Sequence, residues 1–178
     1  PLSFMLEGIE YIDDDNLDLQ KYLDAIDGSS QVPKSACPSI QDYLDRFQGD
    51  YDWVFCVTLS SGLSGSYNSA MNAKAMYMEE HPDRKVHIVD SRAASTTEVL
   101  IAQKLDELAK SGKSFEAIVE EIEIFRDETK VLFVLDKIDT LEKNGRLSSM
   151  KAKIVRALNL KLILLATDEG AIDMKDKA

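Results

Sequence analysis

The chain has 178 residues, of which 44% are hydrophobic, and its 21 basic and 32 acidic residues give a formal net charge of -11. A charge of this sign repels nucleic acid and anionic membrane surfaces, and no apolar run approaches the ~20 residues of a membrane span. We therefore expect a protein with a sizeable core, without nucleic acid as a partner and without stable insertion into a membrane.

The two cysteines indicate the cellular compartment, and the first residues indicate whether the chain is a fragment. Cys37 and Cys56 form no C-x-x-C pair, and no Cys/His spacing is typical of a zinc site. We expect a reducing, cytoplasmic location and neither a metal nor a cofactor. The chain starts at Pro1 with neither an initiator methionine nor a signal-peptide pattern, so we interpret it as a fragment.

Strand and helix patterns alternate along the first half of the chain. Turn signals and apolar runs predict two short strands, at residues 2–4 and 8–12. They then predict a helix at residues 19–26 and a polar loop at residues 27–34. Ser39 then stands at an N-cap position, with Asp42 three residues later, which predicts the next helix. The apolar run from Trp53 to Leu59 predicts a buried strand, and the serine- and glycine-rich segment behind it opens another helix.

The second half continues this alternation. The run from Val86 to Val89 predicts a second buried strand, Gly112 ends the helix that follows, and Ser114 caps the next one. The pattern then predicts a strand at residues 131–135 and a charged turn at residues 144–145. A helix after residue 148 and a hairpin at residues 160–174 follow. This order favours an α/β fold with a largely parallel sheet flanked by helices, followed by a mixed or antiparallel part. We place the boundary between two lobes of residues 1–92 and 93–178.

The segment from Thr58 to Ser66 joins a buried strand to a helix and is rich in serine and glycine. Ligands of open α/β sheets bind beyond the carboxyl ends of strands, and a helix N-terminus carries partial positive charge, so an anion suits this place. Helix capping by Ser61 or Ser64 explains the same residues, and both interpretations stay open. The spacing excludes a P-loop, and serine instead of glycine at position 66 excludes a nucleophile elbow centred on Ser64.

Four separated segments carry motifs that occur together in one known family. In chain order they are S-A-C-P-S at 35–39, S-G-L-S-G-S-Y-N-S-A at 61–70, V-H-I-V-D-S at 86–91 with Ala94 and Ser95, and the stretch from Asp136 through G-R-L-S at 145–148 to L-N-L-K at 158–161. Together they resemble the DegV family of fatty-acid-binding proteins, whose members present bound acyl chains to a fatty acid kinase in many Gram-positive bacteria. The second motif is the most specific, and the four cover nearly the whole chain.

The resemblance implies a fold, a ligand and a partner. The fold is the DegV-type (EDD) fold, here truncated at both ends, and the ligand is a long-chain fatty acid whose tail lies in an apolar tunnel. Its carboxylate is expected at Ser35 and at the turn of Ser61 and Gly62, with Ser64 in reserve because two serines precede glycine in this loop. Arg146 is expected to contact the head group or the partner. That partner is the catalytic subunit of the fatty acid kinase, and the chain itself is expected to be non-catalytic.

The chain departs from the family pattern at several positions. In the fourth motif, Asn144 replaces a glycine and Leu162 replaces a proline. Thr97 and Glu98 stand where the family has glycines, and we expect their polar bulk to narrow or polarise the pocket. Family members continue beyond the hairpin with a stretch that contributes polar groups near the ligand head, so we expect a clipped form.

Two other classes of function stay open. One is an enzyme of the same fold, either kinase-like or a serine hydrolase that uses Ser61 or Ser64, although neither serine has a visible base. His81 and His87 are interpreted as surface or core-edge residues. The other is a structural domain whose serine loop only caps a helix. A group of basic residues is interpreted as a solvated helix face: Arg146, Lys151, Lys153 and Arg156.

Overall fold

The structure, a computed structural model, describes residues 1–135, 139–146 and 162–177. Its elements, in chain order, are β1 Ser3–Leu6, β2 Ile9–Ile12, α1 Leu19–Gly28, β3 Lys34–Ala36, α2 Ile40–Phe47, β4 Trp53–Thr58, α3 Ser66–Glu80, β5 Lys85–Asp90, α4 Thr96–Ala109, α5 Phe115–Glu128, β6 Leu132–Leu135, α6 Asp139–Lys143, β7 Leu162–Ala166 and β8 Ile172–Lys177. Within these ranges, no helix combines the length and the hydropathy that crossing a bilayer requires.

The N-terminal strands form an antiparallel sheet in the order β2-β1-β3. Glu7 and Gly8 connect β1 to β2 with positive φ angles of 50° and 83°, the geometry of a tight two-residue hairpin. The largely parallel sheet expected from the sequence is therefore limited, among the described strands, to β4 and β5. Strand β3 was not predicted, because its three residues are all exposed and show no apolar alternation. It pairs with β1 and sets Ser35 opposite Phe4.

The parallel pair β4–β5 lies between two layers of helices. Alternate residues of a strand point to opposite faces, and the two faces bury separate clusters. The cluster under α2 and α3 contains Phe47, Ala70, Ala73, Tyr77, Val86 and Ile88. The cluster under α4 and α5 contains Val89, Ile101, Leu105, Leu108, Ile118 and Ile122. This layering is the α/β fold that the sequence predicts.

The division into lobes of residues 1–92 and 93–178 stays a prediction. Helices α4 and α5 follow residue 92 in the chain, but their Ile101 and Ile118 are fully buried in one cluster with Val89 of β5. A continuous core therefore joins the two sides of this boundary.

Helix α2 begins with the N-cap that the sequence predicts. The backbone N–H of Asp42 donates to the Ser39 hydroxyl at 3.1 Å, and the backbone N–H of Ser39 donates to the Asp42 carboxylate at 2.7 Å. The Ser39 hydroxyl also donates to that carboxylate, and this bond holds the pKa of Asp42 below its ordinary value. The first turn of α2 is thus closed by a complete capping box.

Ser39→Ala should lower the free energy of unfolding by about 1 kcal/mol, because the N–H of Asp42 loses its acceptor. Urea unfolding followed by circular dichroism measures the change. Ser30→Ala, in an exposed loop, is the matched control and should leave the stability unaltered. Equal losses in the two variants would contradict a capping role.

The C-terminal strands form a second antiparallel sheet in the order β6-β7-β8. The predicted hairpin is present, with a turn over residues 167–171 between β7 and β8. Other expectations for this part of the chain lie outside the described residues: Asp136, the helix after Ser148, the basic residues Lys151, Lys153 and Arg156, and the L-N-L-K motif at 158–161.

A short helix, α6, stands just before the predicted turn at Asn144 and Gly145. Gly145 has a φ of 73°, and the backbone N–H of Arg146 donates to the Leu141 carbonyl at 2.8 Å, which is a common way for a helix to end. The side-chain amide of Asn144 donates to the carbonyl of Pro33 at 3.3 Å. This turn therefore attaches α6 to the segment before β3 and brings Arg146 toward the N-terminal sheet.

Candidate functional site

A cavity of about 510 Å³ lies between the N-terminal sheet, the loops that follow β4 and β5, and the C-terminal sheet. Sites for small molecules commonly measure about 300–1,000 Å³. Most of the wall is apolar, with Phe4, Leu63, Phe133 and Ile172 among the side chains that contribute to it. A few polar residues also line it: Ser35, Ser64, Ser95, Thr96 and Arg146. The cavity can therefore hold a largely apolar molecule with one polar end.

Arg146 brings a positive charge to this cavity. Its Nε donates to the carbonyl of Leu63 at 2.8 Å, and its Nη2 donates to the hydroxyl of Ser35 at 3.3 Å. In the described part of the chain, no carboxylate forms an ion pair with Arg146. The guanidinium is half-buried and held in place by neutral groups, so its charge can still attract an anion.

Ser64 also lines the cavity, as the reserve prediction allows. Its hydroxyl lies 2.9 Å from the hydroxyl of Ser66 and accepts the backbone N–H of Ser66 at 3.2 Å. Helix α3 begins after Gly65, a residue without a side chain to cap it, so neither Ser61 nor Ser64 is the N-cap residue. Ser35, Ser64 and Arg146 are the predicted site residues that the structure places around one cavity.

The expected place of the carboxylate at Ser35 and Ser61 stays a prediction, and Ser61 and Gly62 are not among the residues that line this cavity. The backbone N–H and the hydroxyl of Ser61 both donate to the carboxylate of Asp90, at 3.0 and 2.5 Å. The physical reason is that Asp90, at the end of β5, takes the donors of this loop and would repel a second carboxylate there. The N–H of Gly62 donates to the hydroxyl of Ser60 at 3.1 Å.

Thr97 and Glu98 do not narrow the pocket in the way expected from the sequence. Thr97 is buried at 6% exposure, and neither residue belongs to the cavity wall. Glu98 accepts the backbone N–H of Ser95 at 3.0 Å, and burial raises its pKa above the ordinary value. The polar groups that this loop contributes to the cavity come from Ser95 and Thr96 instead.

A second cleft, of about 320 Å³, is lined by Arg92, Arg126 and Lys130. Arg92 and Arg126 both pair with Asp127, at 2.9 Å. The bond from Arg126 holds the pKa of Asp127 below its ordinary value. Lys130 pairs with Asp168 at 3.1 Å. Since carboxylates of the chain already balance these cations, the cleft is a weaker candidate for an anion than the cavity at Arg146.

Sequence reasoning missed Ser60, which precedes the predicted serine turn. Ser60 is fully buried, and its hydroxyl donates to the carbonyl of Gly170 at 2.6 Å. Gly170 and Ala171 of the β7–β8 turn line the cavity. No local pattern could have found this contact, because it joins residues 110 positions apart.

Comparisons with known proteins point to one family. A family model described as uncharacterised protein, DegV family, matches residues 1–178. A DegV domain-containing protein of Streptococcus pneumoniae is 40% identical over 178 residues, which is 100% of this chain and 63% of the relative. The chain therefore spans less than two thirds of the length of this relative.

Solved structures agree with this match. The Streptococcus pneumoniae fatty acid kinase (Fak) B3 protein loaded with linoleic acid has a TM-score of 0.94 and 40% identity, over 100% of this chain and 63% of that one. A DegV family protein from Eubacterium eligens loaded with heptadecanoic acid has a TM-score of 0.93 and 34% identity, over 100% of this chain and 64% of that one.

Proposed function

The chain belongs to the DegV family, and from this premise we propose that it binds a long-chain fatty acid in the cavity at Arg146. The carboxylate lies at Arg146, Ser35 and Ser64, and the hydrocarbon tail follows the apolar wall. The two similar structures named above hold fatty acids, which supports this choice of ligand.

The observation that carries the proposal is the charge of Arg146 beside an apolar cavity. Among the described residues this half-buried cation has no charged partner, which is costly, and an apolar cavity exposed to water is unfavourable as well. A fatty acid supplies a carboxylate for the guanidinium and a hydrocarbon chain for the wall. A neutral lipid would cover the apolar wall but leave the guanidinium without an anion. A small anion would pair with the guanidinium but leave the apolar wall exposed.

The hydrogen-bond pattern suits a carboxylate. The hydroxyl of Ser35 accepts from Arg146, so its own hydrogen remains able to donate to the ligand. Arg146 and Ser35 can then bind the same carboxylate with charge-assisted hydrogen bonds. Ser64 adds a second hydroxyl, whereas Ser61 and Gly62 act behind the site by holding the loop in place.

We also propose that the chain is non-catalytic and that it presents the bound acid to a fatty acid kinase in the cytoplasm. The name of the similar Streptococcus pneumoniae protein connects it to such a kinase. The free thiols of Cys37 and Cys56 agree with a reducing location.

Native mass spectrometry of the purified chain tests the proposed ligand. We expect one long-chain fatty acid per chain, and after removal of lipid we expect renewed binding of the acid. The Streptococcus pneumoniae relative is the positive control. A chain that carries no acid and rejects a panel of saturated and unsaturated long-chain acids would contradict the proposal.

The hydrolase alternative loses support from the surroundings of the serines. The hydroxyl of Ser64 faces Ser66, and that of Ser61 faces Asp90. His87 lies 2.9 Å from Glu123, and neither His81 nor His87 lines the cavity. Among the described residues, no histidine lies beside either hydroxyl, and Ser61 with its Asp90 partner is not part of the cavity wall, so we propose binding alone.

A further inference from the structure

The β7–β8 turn, residues 167–171, forms part of the cavity wall and touches the loop that follows β4. The contact is made by Ser60, which is completely buried. Its hydroxyl donates to the carbonyl of Gly170 at 2.6 Å and accepts the backbone N–H of Gly62 at 3.1 Å. A single side chain therefore bonds the two loops to each other at the edge of the proposed ligand site.

Two glycines allow this close approach. Gly170 has a φ of +76°, and a Cβ on it would lie 2.2 Å from the hydroxyl oxygen of Ser60 and 2.9 Å from the Cα of Arg92. A Cβ on Gly62 would lie 2.9 Å from the carbonyl oxygen of Gly170. Distances this short do not occur for real Cβ atoms, so any larger residue would separate the turn from the loop.

The turn is well bonded within itself. The backbone N–H of Thr167 donates to the carbonyl of Ala171 at 2.8 Å, and the N–H of Gly170 donates to the carbonyl of Thr167 at 2.9 Å. The N–H of Ala171 donates to the hydroxyl of Thr167 at 3.2 Å. Because these bonds keep its shape, the turn is expected to move as a unit, and movement away from the cavity requires breaking the bond from Ser60.

We propose that Ser60 is a positioning residue that clamps the β7–β8 turn over the cavity and thereby limits the rate at which the ligand leaves. This inference rests on the proposed binding of a fatty acid. The turn is a segment of the cavity wall that one buried hydroxyl bonds to the loop after β4. Loss of that bond would let the turn move outward and would widen the path along which a long tail leaves. Ser60 needs no contact with the ligand to act in this way.

Release of a fluorescent fatty acid, cis-parinaric acid, tests the clamp. The loaded chain is mixed with excess oleate in a stopped-flow instrument, and the loss of fluorescence gives the release rate. Ser60→Ala should raise this rate about tenfold, equal to about 1.4 kcal/mol in activation free energy. Gly62→Ala keeps the hydroxyl but pushes on Gly170, and it should accelerate release in the same direction.

The matched control is Ser111→Ala. The Ser111 hydroxyl also donates to a backbone carbonyl at 2.6 Å, that of Leu108, but Ser111 does not line the cavity. This variant should release the probe at the wild-type rate, even if it loses some stability. Amide hydrogen exchange of residues 167–171 gives a readout without ligand, and it should be faster in Ser60→Ala but unchanged in Ser111→Ala.

The outcomes separate the clamp from the proposed function. Unchanged release in both Ser60→Ala and Gly62→Ala, or equal acceleration in Ser111→Ala, would overturn the clamp while leaving fatty acid binding intact. A wild-type chain that binds no probe would overturn the proposed function, and the role in release with it. Faster release together with faster exchange of the turn, confined to the Ser60 and Gly62 variants, supports the clamp.

Discussion

Arg146→Met should weaken the binding of a long-chain fatty acid by about 2–3 kcal/mol, roughly 30- to 150-fold. Methionine keeps much of the length of the side chain but removes the charge and the donors. The carboxylate then loses its cation, while the carbonyl of Leu63 and the hydroxyl of Ser35 lose a donor. Isothermal titration of lipid-free protein with oleate measures the effect.

The methyl ester of the same acid separates an electrostatic role from a structural one. The ester has the same tail but no negative charge, so Arg146→Met should change its affinity little. Lys130→Met removes the same formal charge at an exposed ion pair outside the cavity, and it should leave the affinity for oleate unaltered. If the variant lost acid and ester equally, Arg146 would serve only to hold the loop at Leu63.

Much of the fold could be predicted from the sequence because its signals are local. The apolar residues of α5 recur at helical spacing after the Ser114 cap, and the helix begins directly after that residue. The run at β4 is apolar on both faces, as a strand between two helical layers must be. The hairpin of β7 and β8 could be predicted because an apolar run precedes the turn at Gly170 and a run of alternating apolar and polar residues follows it.

Strand β3 shows where local signals end. Its residues, Lys34–Ala36, are exposed and carry no pattern of their own. Their extended conformation depends on pairing with β1, which is distant in sequence. Because Ser35 lies on this strand, its position beside Phe4 and Arg146 could not be obtained from the spacing of its motif.

The choice between Ser61 and Ser64 was equally beyond the sequence. Both are serines followed by glycine in one loop, and a motif gives them the same chemistry. The difference between them comes from Asp90, which lies 29 positions from Ser61 in the chain. The carboxylate of Asp90 accepts the backbone N–H and the hydroxyl of Ser61. A carboxylate at the end of a neighbouring strand therefore determines which of the two serines keeps its donors within the protein.

Ile118→Ala should lower the free energy of unfolding by about 2–5 kcal/mol, the largest loss of stability that we expect from one substitution. Ile118 is fully buried between α4, α5 and β5, in a cluster with Ile101 and Val89. Removing its outer carbons leaves a cavity that closely packed neighbours fill only in part. Urea unfolding of lipid-free protein, followed by circular dichroism, measures the loss.

Helix α5 provides its own control, because Ile124 has 51% of its surface exposed on the same helix. Ile124→Ala makes the same chemical change and slightly favours the helix, so its effect should stay within about 0.5 kcal/mol. Neither variant touches the cavity wall, and at temperatures where both are folded they should bind oleate like the wild type. Similar losses in the two variants would show that α5 does not pack on β5 as described, whereas a change of affinity alone would place the ligand elsewhere.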